Sequence, residues 1–202
     1  MNQGSSPHLV MGISGKKDKL FDLELSKKRS IPILKRFSGG GAVVVDENTI
    51  FVSFIFNKEL LKDSFNHKAA MNWSECFYKR VFDDQEFHLR ENDYVFANKK
   101  FGGNAQYFQK ERAVHHTSFL WDFSEENMQL LQMPEKRPQY RQDRSHNDFL
   151  IKLKEKISSK EELRQRIKAA LESFFEIERI EEKVLQEILM RPHRKSTKKD
   201  PP

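Results

Sequence analysis

Two stretches of this sequence combine residue types that hold and activate anions. The first is Lys35-Arg36-Phe37-Ser38-Gly39-Gly40-Gly41-Ala42-Val43-Val44-Val45-Asp46. Its three glycines stand between the approach Ile31-Pro-Ile-Leu and a second β-prone run, Ala42 to Val45. Glycine accepts φ > 0 and lets a ligand come close to bare backbone. A glycine turn between strands can aim several N–H groups into one concavity, which is an anion-binding nest. Lys35 and Arg36 at its lip complete a cradle for a phosphate or carboxylate. On the glycines alone, a tight turn beside an incidental basic pair is the better reading. The second stretch, Lys99-Lys100-Phe101-Gly102-Gly103-Asn104-Ala105, is followed by Val114-His115-His116-Thr117-Ser118-Phe119-Leu120. A lysine ammonium is a compact point charge suited to bridging two anions. The two histidines alternate across a strand, so only one can face a pocket.

Together the two stretches resemble the lipoate–protein ligase family, with its R-R-x-S-G-G-G-A-V and K-x-S-G-N/S-A…H-H-G-T-L motifs. Order and separation match too, and the resemblance runs from about Leu9 to about Leu150. It implies the biotin/lipoate protein ligase catalytic fold, a class II synthetase-like architecture. It implies a two-step reaction. A lipoate or octanoate carboxylate attacks the α-phosphorus of ATP, and a lysine of an acceptor domain then attacks the acyl-adenylate. Neither step needs a protein nucleophile; the protein positions anions and neutralises the charge that grows between them.

Carried over by motif, Lys100 is the catalytic lysine. Arg36, Ser38, Gly39, Gly40, Gly41 and Asp46 are implied to bind substrate or adenylate, as are Asn92, Gly103, Asn104, Ala105, His116 and Thr117. Asp93 is the candidate magnesium ligand, because hard oxygens near phosphates are what that ion requires; Asn-Asp is equally a common turn pair. This chain departs from the pattern in several places. Lys35 replaces the first arginine and loses its bidentate fork. Val45 replaces a histidine, Gly102 replaces the serine, and Thr117-Ser118 replaces Gly-Thr. Family members also carry strands and a helix before the Leu9 strand. The resemblance therefore implies an N-terminally shortened domain with an unpaired sheet edge.

The elements that must position these residues can be read from pattern. His8 to Ile13, Ile31 to Arg36, Phe87 to Arg90, Tyr94 to Ala97, Lys99 to Gln106 and Ala113 to Phe123 read as strands. Ala42 to Val45 and Thr49 to Phe56 flank Asp46-Glu47-Asn48 as a hairpin. Ala70, Trp73, Phe77 and Val81 mark one face of a helix, with Cys76 expected as a small buried hydrophobe. Further helices are expected after Ser124, over 148–157, after the capping box Ser159-Lys-Glu-Glu162, and over 180–190. Residues 133–146 read as a proline- and arginine-rich loop. Strands early and helices late argue α+β, with a mixed or mostly antiparallel sheet and flanking helices. Residues 1–190 are expected as one catalytic domain and 191–202 as a disordered basic tail.

Composition bounds the function. The chain has 202 residues, 37% hydrophobic and 33% charged. Its single cysteine excludes an internal disulfide and a multi-cysteine zinc site. Arg191, Arg194, Lys195, Lys198 and Lys199 against Asp200 supply most of the net charge of +6. The basic character therefore belongs to a solvated tail, not to a nucleic-acid surface. No apolar run could span a membrane. The expectation is a monomer in the cytoplasm, or in an organelle matrix if a transit segment is missing. Its expected partners are lipoyl-acceptor domains of 2-oxoacid dehydrogenases or the glycine cleavage H protein. Two alternatives remain: an octanoyl or lipoyl transferase working from a carrier protein, and a non-catalytic module that binds acyl-adenylate.

Overall fold

The computed structural model of the chain describes all residues except 5, 62–64, 136, 193–196 and 201–202. In chain order the elements begin with β1 (Asn2–Gln3), β2 (His8–Met11), α1 (Lys17–Leu20), α2 (Leu23–Lys28), β3 (Ile33–Lys35) and β4 (Ala42–Val45). Next come β5 (Thr49–Asn57), α3 (His67–Phe82), β6 (Phe87–Arg90), β7 (Asp93–Phe96), β8 (Lys99–Phe108) and β9 (Arg112–Leu120). The chain continues with α4 (Glu125–Met128), α5 (His146–Phe149), α6 (Lys160–Glu172), α7 (Glu182–Met190) and β10 (Lys198–Asp200). The large sheet has the order β1-β5-β9-β8-β7-β6, with every neighbour antiparallel. A smaller sheet has the order β10-β3-β2-β4, in which β2 and β3 run parallel. This is the expected α+β architecture.

One face of the large sheet is closed by α3 and α6. Along β5, Ile50 and Val52 point to this face, where Phe77, Tyr78, Tyr94, Phe101 and Phe119 are fully buried. Each such aromatic ring takes about 150–250 Å² out of water, so this layer anchors one face of the sheet and leaves the other open. Helix α3 starts where Asn66 accepts from the Ala69 N–H at 2.9 Å and stops at Asp83, in a left-handed conformation with φ 41°. Such ends are expected of a capped helix. Helix α6 starts at Ser159, whose hydroxyl accepts from Glu162 N–H at 3.0 Å. The Glu162 carboxylate reaches back to Ser158 N–H, one residue earlier than a standard capping box would have it.

Several expectations from sequence are corrected. Strands β4 and β5 do not form a hairpin: β4 pairs with β2 and β5 with β9, so the 46–49 turn carries the chain between sheets. The helix expected over 148–157 is broken. Phe149 packs into one cluster and Leu153 and Ile157 into another. Between them Ile151 N–H donates to the Lys100 carbonyl at 2.9 Å, a sheet-like bond that a continuous helix would forfeit. Cys76 is exposed, because it lies on the solvent side of α3 while Ser74 takes the buried position. In the tail expected to be disordered, Lys198–Asp200 pairs antiparallel with β3, whose backbone groups offer an open ladder. Residues 193–196 and 201–202 of that tail lie outside the described residues. Helix α7 forms as expected, but none of its residues is buried.

Candidate active site

The open face of the large sheet, the glycine turn and the segment after α4 enclose a cavity of about 640 Å³. How β8 reaches it depends on one irregularity. Opposite β7, Gly103 pairs with Asp93 and Gly102 with Tyr94, but Lys100 pairs with Val95. Phe101 is therefore an extra residue, a β-bulge. Phe101 and Gly102 consequently both face the helical layer, and Lys100 and Gly103 both face the cavity. A Cβ at Gly102 would stand 2.7 Å from the Phe119 ring, and one at Gly103 would stand 3.4 Å from Lys100 Nζ. The missing serine hydroxyl at 102 is thus no loss to the cavity, since that position is filled by Phe119.

Lys100 Nζ lies 2.7 Å from Asp93 Oδ1, and Tyr140 donates its hydroxyl to Asp93 Oδ2 at 2.9 Å. Burial, and then the Asp93 charge, push the Tyr140 hydroxyl well above its ordinary pKa, so it remains a donor. Both Asp93 oxygens are engaged. Among the described residues, no group of three His, Cys, Asp or Glu side chains could hold a metal ion. In this arrangement the Asp93 carboxylate serves the ammonium and the Tyr140 hydroxyl.

At the glycine turn only Gly40 has positive φ, at 99°. Arg36 Nη2 donates to the carbonyls of Gly39 (2.8 Å) and Gly41 (3.0 Å), so its guanidinium shapes the turn from within. Ser38, Gly40 and Gly41 line the cavity, with Gly39 behind them. A Cβ at Gly12 would come within 2.2 Å of the Gly40 carbonyl, so β2 closes the back of the turn.

Strand β9 divides its residues by parity. His116 and Ser118 face the cavity, whereas His115 and Thr117 face the helical layer and are fully buried. Thr117 is therefore removed from the candidate binding residues. His116 accepts or shares a proton with Ser53 at 2.6 Å and stacks on Phe51. Burial, and then the Arg36 charge, lower its pKa. On the far side, His115 bridges Tyr94 (2.9 Å) and Gln106 (3.0 Å), and burial lowers its pKa to about 4. Asp46 is also removed: it is buried, accepts from Asn48 N–H at 2.9 Å, and pins the turn between the sheets. Asn92, Asn104 and Ala105 line the cavity, with Asn104 Nδ2 donating to the Asn92 carbonyl at 2.7 Å.

Sequence reasoning missed the other wall. Tyr140, Arg141 and His146 come from the aperiodic stretch read as a loop. Arg141 and His146 line the cavity, and burial followed by the Arg141 and Lys100 charges lowers the His146 pKa to about 4. The density of Arg137, Arg141 and Arg144 was the available signal. The opposite end is apolar, with Phe37 edge-on to Tyr107 at 5.1 Å and Val114 alongside. The site therefore has a cationic end, a polar middle at Lys100 and an apolar end.

Residues 3–175 match the model of the lipoyl protein ligase A/B catalytic domain. The chain belongs to this family. The inactive lipoate–protein ligase 2 of Plasmodium falciparum is 33% identical over 182 residues, covering 72% of this chain and 47% of that protein. The chain spans under half the length of the curated relatives it matches. A crystal structure of lipoate-protein ligase A bound with ATP superposes with a TM-score of 0.72 at 17% identity, covering 91% of this chain and 76% of that one. A bi-partite archaeal lipoate protein ligase from Thermoplasma acidophilum, described with its E2 lipoyl domain, gives 0.69 at 19% identity, covering 91% and 74%. These similarities establish the lipoyl ligase fold for this chain. Among its described residues no helix is long and apolar enough to cross a membrane.

Proposed function

We propose that this chain activates a medium-chain acyl acid, lipoate or octanoate, with ATP and passes the acyl group to a lysine of a lipoyl-acceptor domain. The observation that supports this most is Lys100, whose ammonium stands in the cavity between the glycine turn and the cationic wall. The acyl chain would lie along Phe37, Tyr107 and Val114. The carboxylate and α-phosphate would meet at Lys100. Asp93 keeps the ammonium in place until they arrive, and the Gly40–Gly41 backbone approaches the same point. No protein nucleophile is required, and Cys76, exposed on α3 across the sheet, is not placed to act as one. This argues against a thiol-based acyl transferase.

A second reading is supported by the relative named inactive: the cavity binds or transfers a preformed acyl-adenylate without making it. One experiment separates the readings. An apo acceptor domain is incubated with the protein and either lipoate with magnesium-ATP or presynthesised lipoyl-AMP, and its mass is measured. A gain of one lipoyl group in both reactions supports the ligase. A gain only with lipoyl-AMP supports the second reading, and no gain with either refutes acyl transfer.

A further inference from the structure

We propose that Arg141 forms the subsite for the pyrophosphate part of the nucleotide, a proposal that rests on the ligase reading. Arg141 is 4% exposed, lines the cavity, and leaves its Nη2 without a hydrogen-bond partner among the described residues. Its Nε donates to the Arg144 carbonyl at 3.3 Å, and its Cζ stands 4.7 Å over the Phe149 ring. The guanidinium is therefore fixed in orientation while part of its fork stays unused. Neighbouring cations are committed elsewhere. Lys100 is paired with Asp93, Arg36 with the Gly39 and Gly41 carbonyls, and Arg137 with Asp143 at 2.7 Å. Arg144 donates to the carbonyls of Asn98, Tyr140 and Arg141. His146, beside Arg141 in the wall, is held neutral and adds no competing charge.

A buried charged donor with no partner is costly, and an arriving anion removes that cost. The planar fork suits phosphate oxygens two at a time. Position selects which phosphate. Phe37, Tyr107 and Val114 form the apolar end, where an acyl chain belongs, and Lys100 stands at the join. Arg141 belongs to the opposite, cationic wall, where the leaving group departs. In the first step the carboxylate oxygen bonds to the α-phosphorus and the bond from that phosphorus to the bridging oxygen breaks. The electron pair leaves on pyrophosphate, and the charge it gains develops next to Arg141. In the second step the lysine nitrogen displaces AMP, and no pyrophosphate is present.

The test compares Arg141→Gln, Arg141→Lys and, as a control in the same segment, Arg137→Gln. Calorimetry with inorganic pyrophosphate is run on each, together with acyl-adenylate formation from ATP and transfer from presynthesised lipoyl-AMP. Arg141→Gln should weaken pyrophosphate binding at least about tenfold and slow acyl-adenylate formation by about 10²–10³, the usual effect of removing one preorganised charge contact. Transfer from lipoyl-AMP should stay within about threefold of wild type, and Arg137→Gln should match wild type throughout. If Arg141→Gln unfolds, Arg141→Lys carries the comparison, and pyrophosphate binding unchanged by loss of the fork overturns the proposal. Equal loss in both half-reactions overturns it too, since Arg141 would then merely hold the wall. A wild-type protein that binds pyrophosphate but forms no acyl-adenylate would defeat the ligase reading and leave the subsite standing. Failure of wild type to bind pyrophosphate would sink the subsite itself.

Discussion

Replacing Lys100 with alanine should separate folding from chemistry, and the pair with Asp93 sets both magnitudes. The ammonium and carboxylate are 2.7 Å apart, with side chains 28% and 12% exposed. A hydrogen bond between charged groups at that depth contributes about 1.5–3 kcal/mol. Tyr140 still donates to the orphaned carboxylate, so the lower end of that range applies. For a chain of this length, about 1.5 kcal/mol corresponds to a fall of roughly 3–6 °C in Tm. The chemical loss should be larger. One preorganised charge at the meeting point of two anions accounts for about 3–4 kcal/mol, or about 10²–10³ in rate. Single-turnover transfer to an apo acceptor from lipoate and magnesium-ATP, in which the two anions must meet, is followed by mass and reads the rate; calorimetric melting reads the fold. Lys99→Ala is the matched control. It removes the same charge from an exposed position on the other face of β8 and should transfer at nearly the wild-type rate. A normal rate in Lys100→Ala refutes the reasoning, and an inactive Lys99→Ala would mean that the bulge at Phe101 is misplaced.

Gly40→Val should abolish binding of an acyl-adenylate analogue, because φ at 99° is closed to a β-branched residue and its Cβ would press on Arg36 at 2.8 Å; calorimetric titration of the folded variant checks it. Gly102→Ser should do the opposite, leaving analogue binding intact while losing about 1–3 kcal/mol in urea denaturation through crowding of Phe119. His115 gives a pH dependence with a definite sign. Its pKa is lowered to about 4 from 6.5, so the unfolded chain takes up a proton that the folded chain refuses. Stability is unaffected above pH 6.5 and falls as the pH drops toward 4, reaching a loss of about 3 kcal/mol. Denaturation of wild type and His115→Gln at pH 7 and pH 5 should show a steeper loss for wild type, and parallel losses would contradict the assignment.

The glycine turn and the lysine strand were legible in the sequence because their chemistry depends on local residue type. Glycine at a positive-φ position and a lysine beside a close backbone approach leave marks in neighbouring letters. The strands were legible through alternation, and α3 and α6 through their apolar spacing and caps. What escaped was decided by partners far away in sequence. Asp46 and Thr117 look like ligands in a motif, yet one pins a turn between sheets and the other points into the helical layer. Strands β4 and β5 read as a hairpin because nothing in their sequence reveals that β4 prefers β2. Tyr140 and Arg141 sit in a segment without periodicity, so only the fold shows that one grips Asp93 and the other enters the cavity.

The extra residue at Phe101 governs how this strand can change over generations. Substitutions along β8 act one side chain at a time, and selection can grade them. Loss of a single codon between Lys100 and Gly103 would act differently. It would restore strict alternation and leave Lys100 on the cavity face, two positions from Gly103, while the helical layer lost one of the two places that Phe101 and Gly102 fill. The ammonium would keep its side of the sheet, and the loss would fall on the packing around Phe119 rather than on the cavity. Straightening of the strand with every residue kept is what would turn the ammonium into the aromatic layer, so the bulge and the spacing of Lys100 and Gly103 hold each other in place.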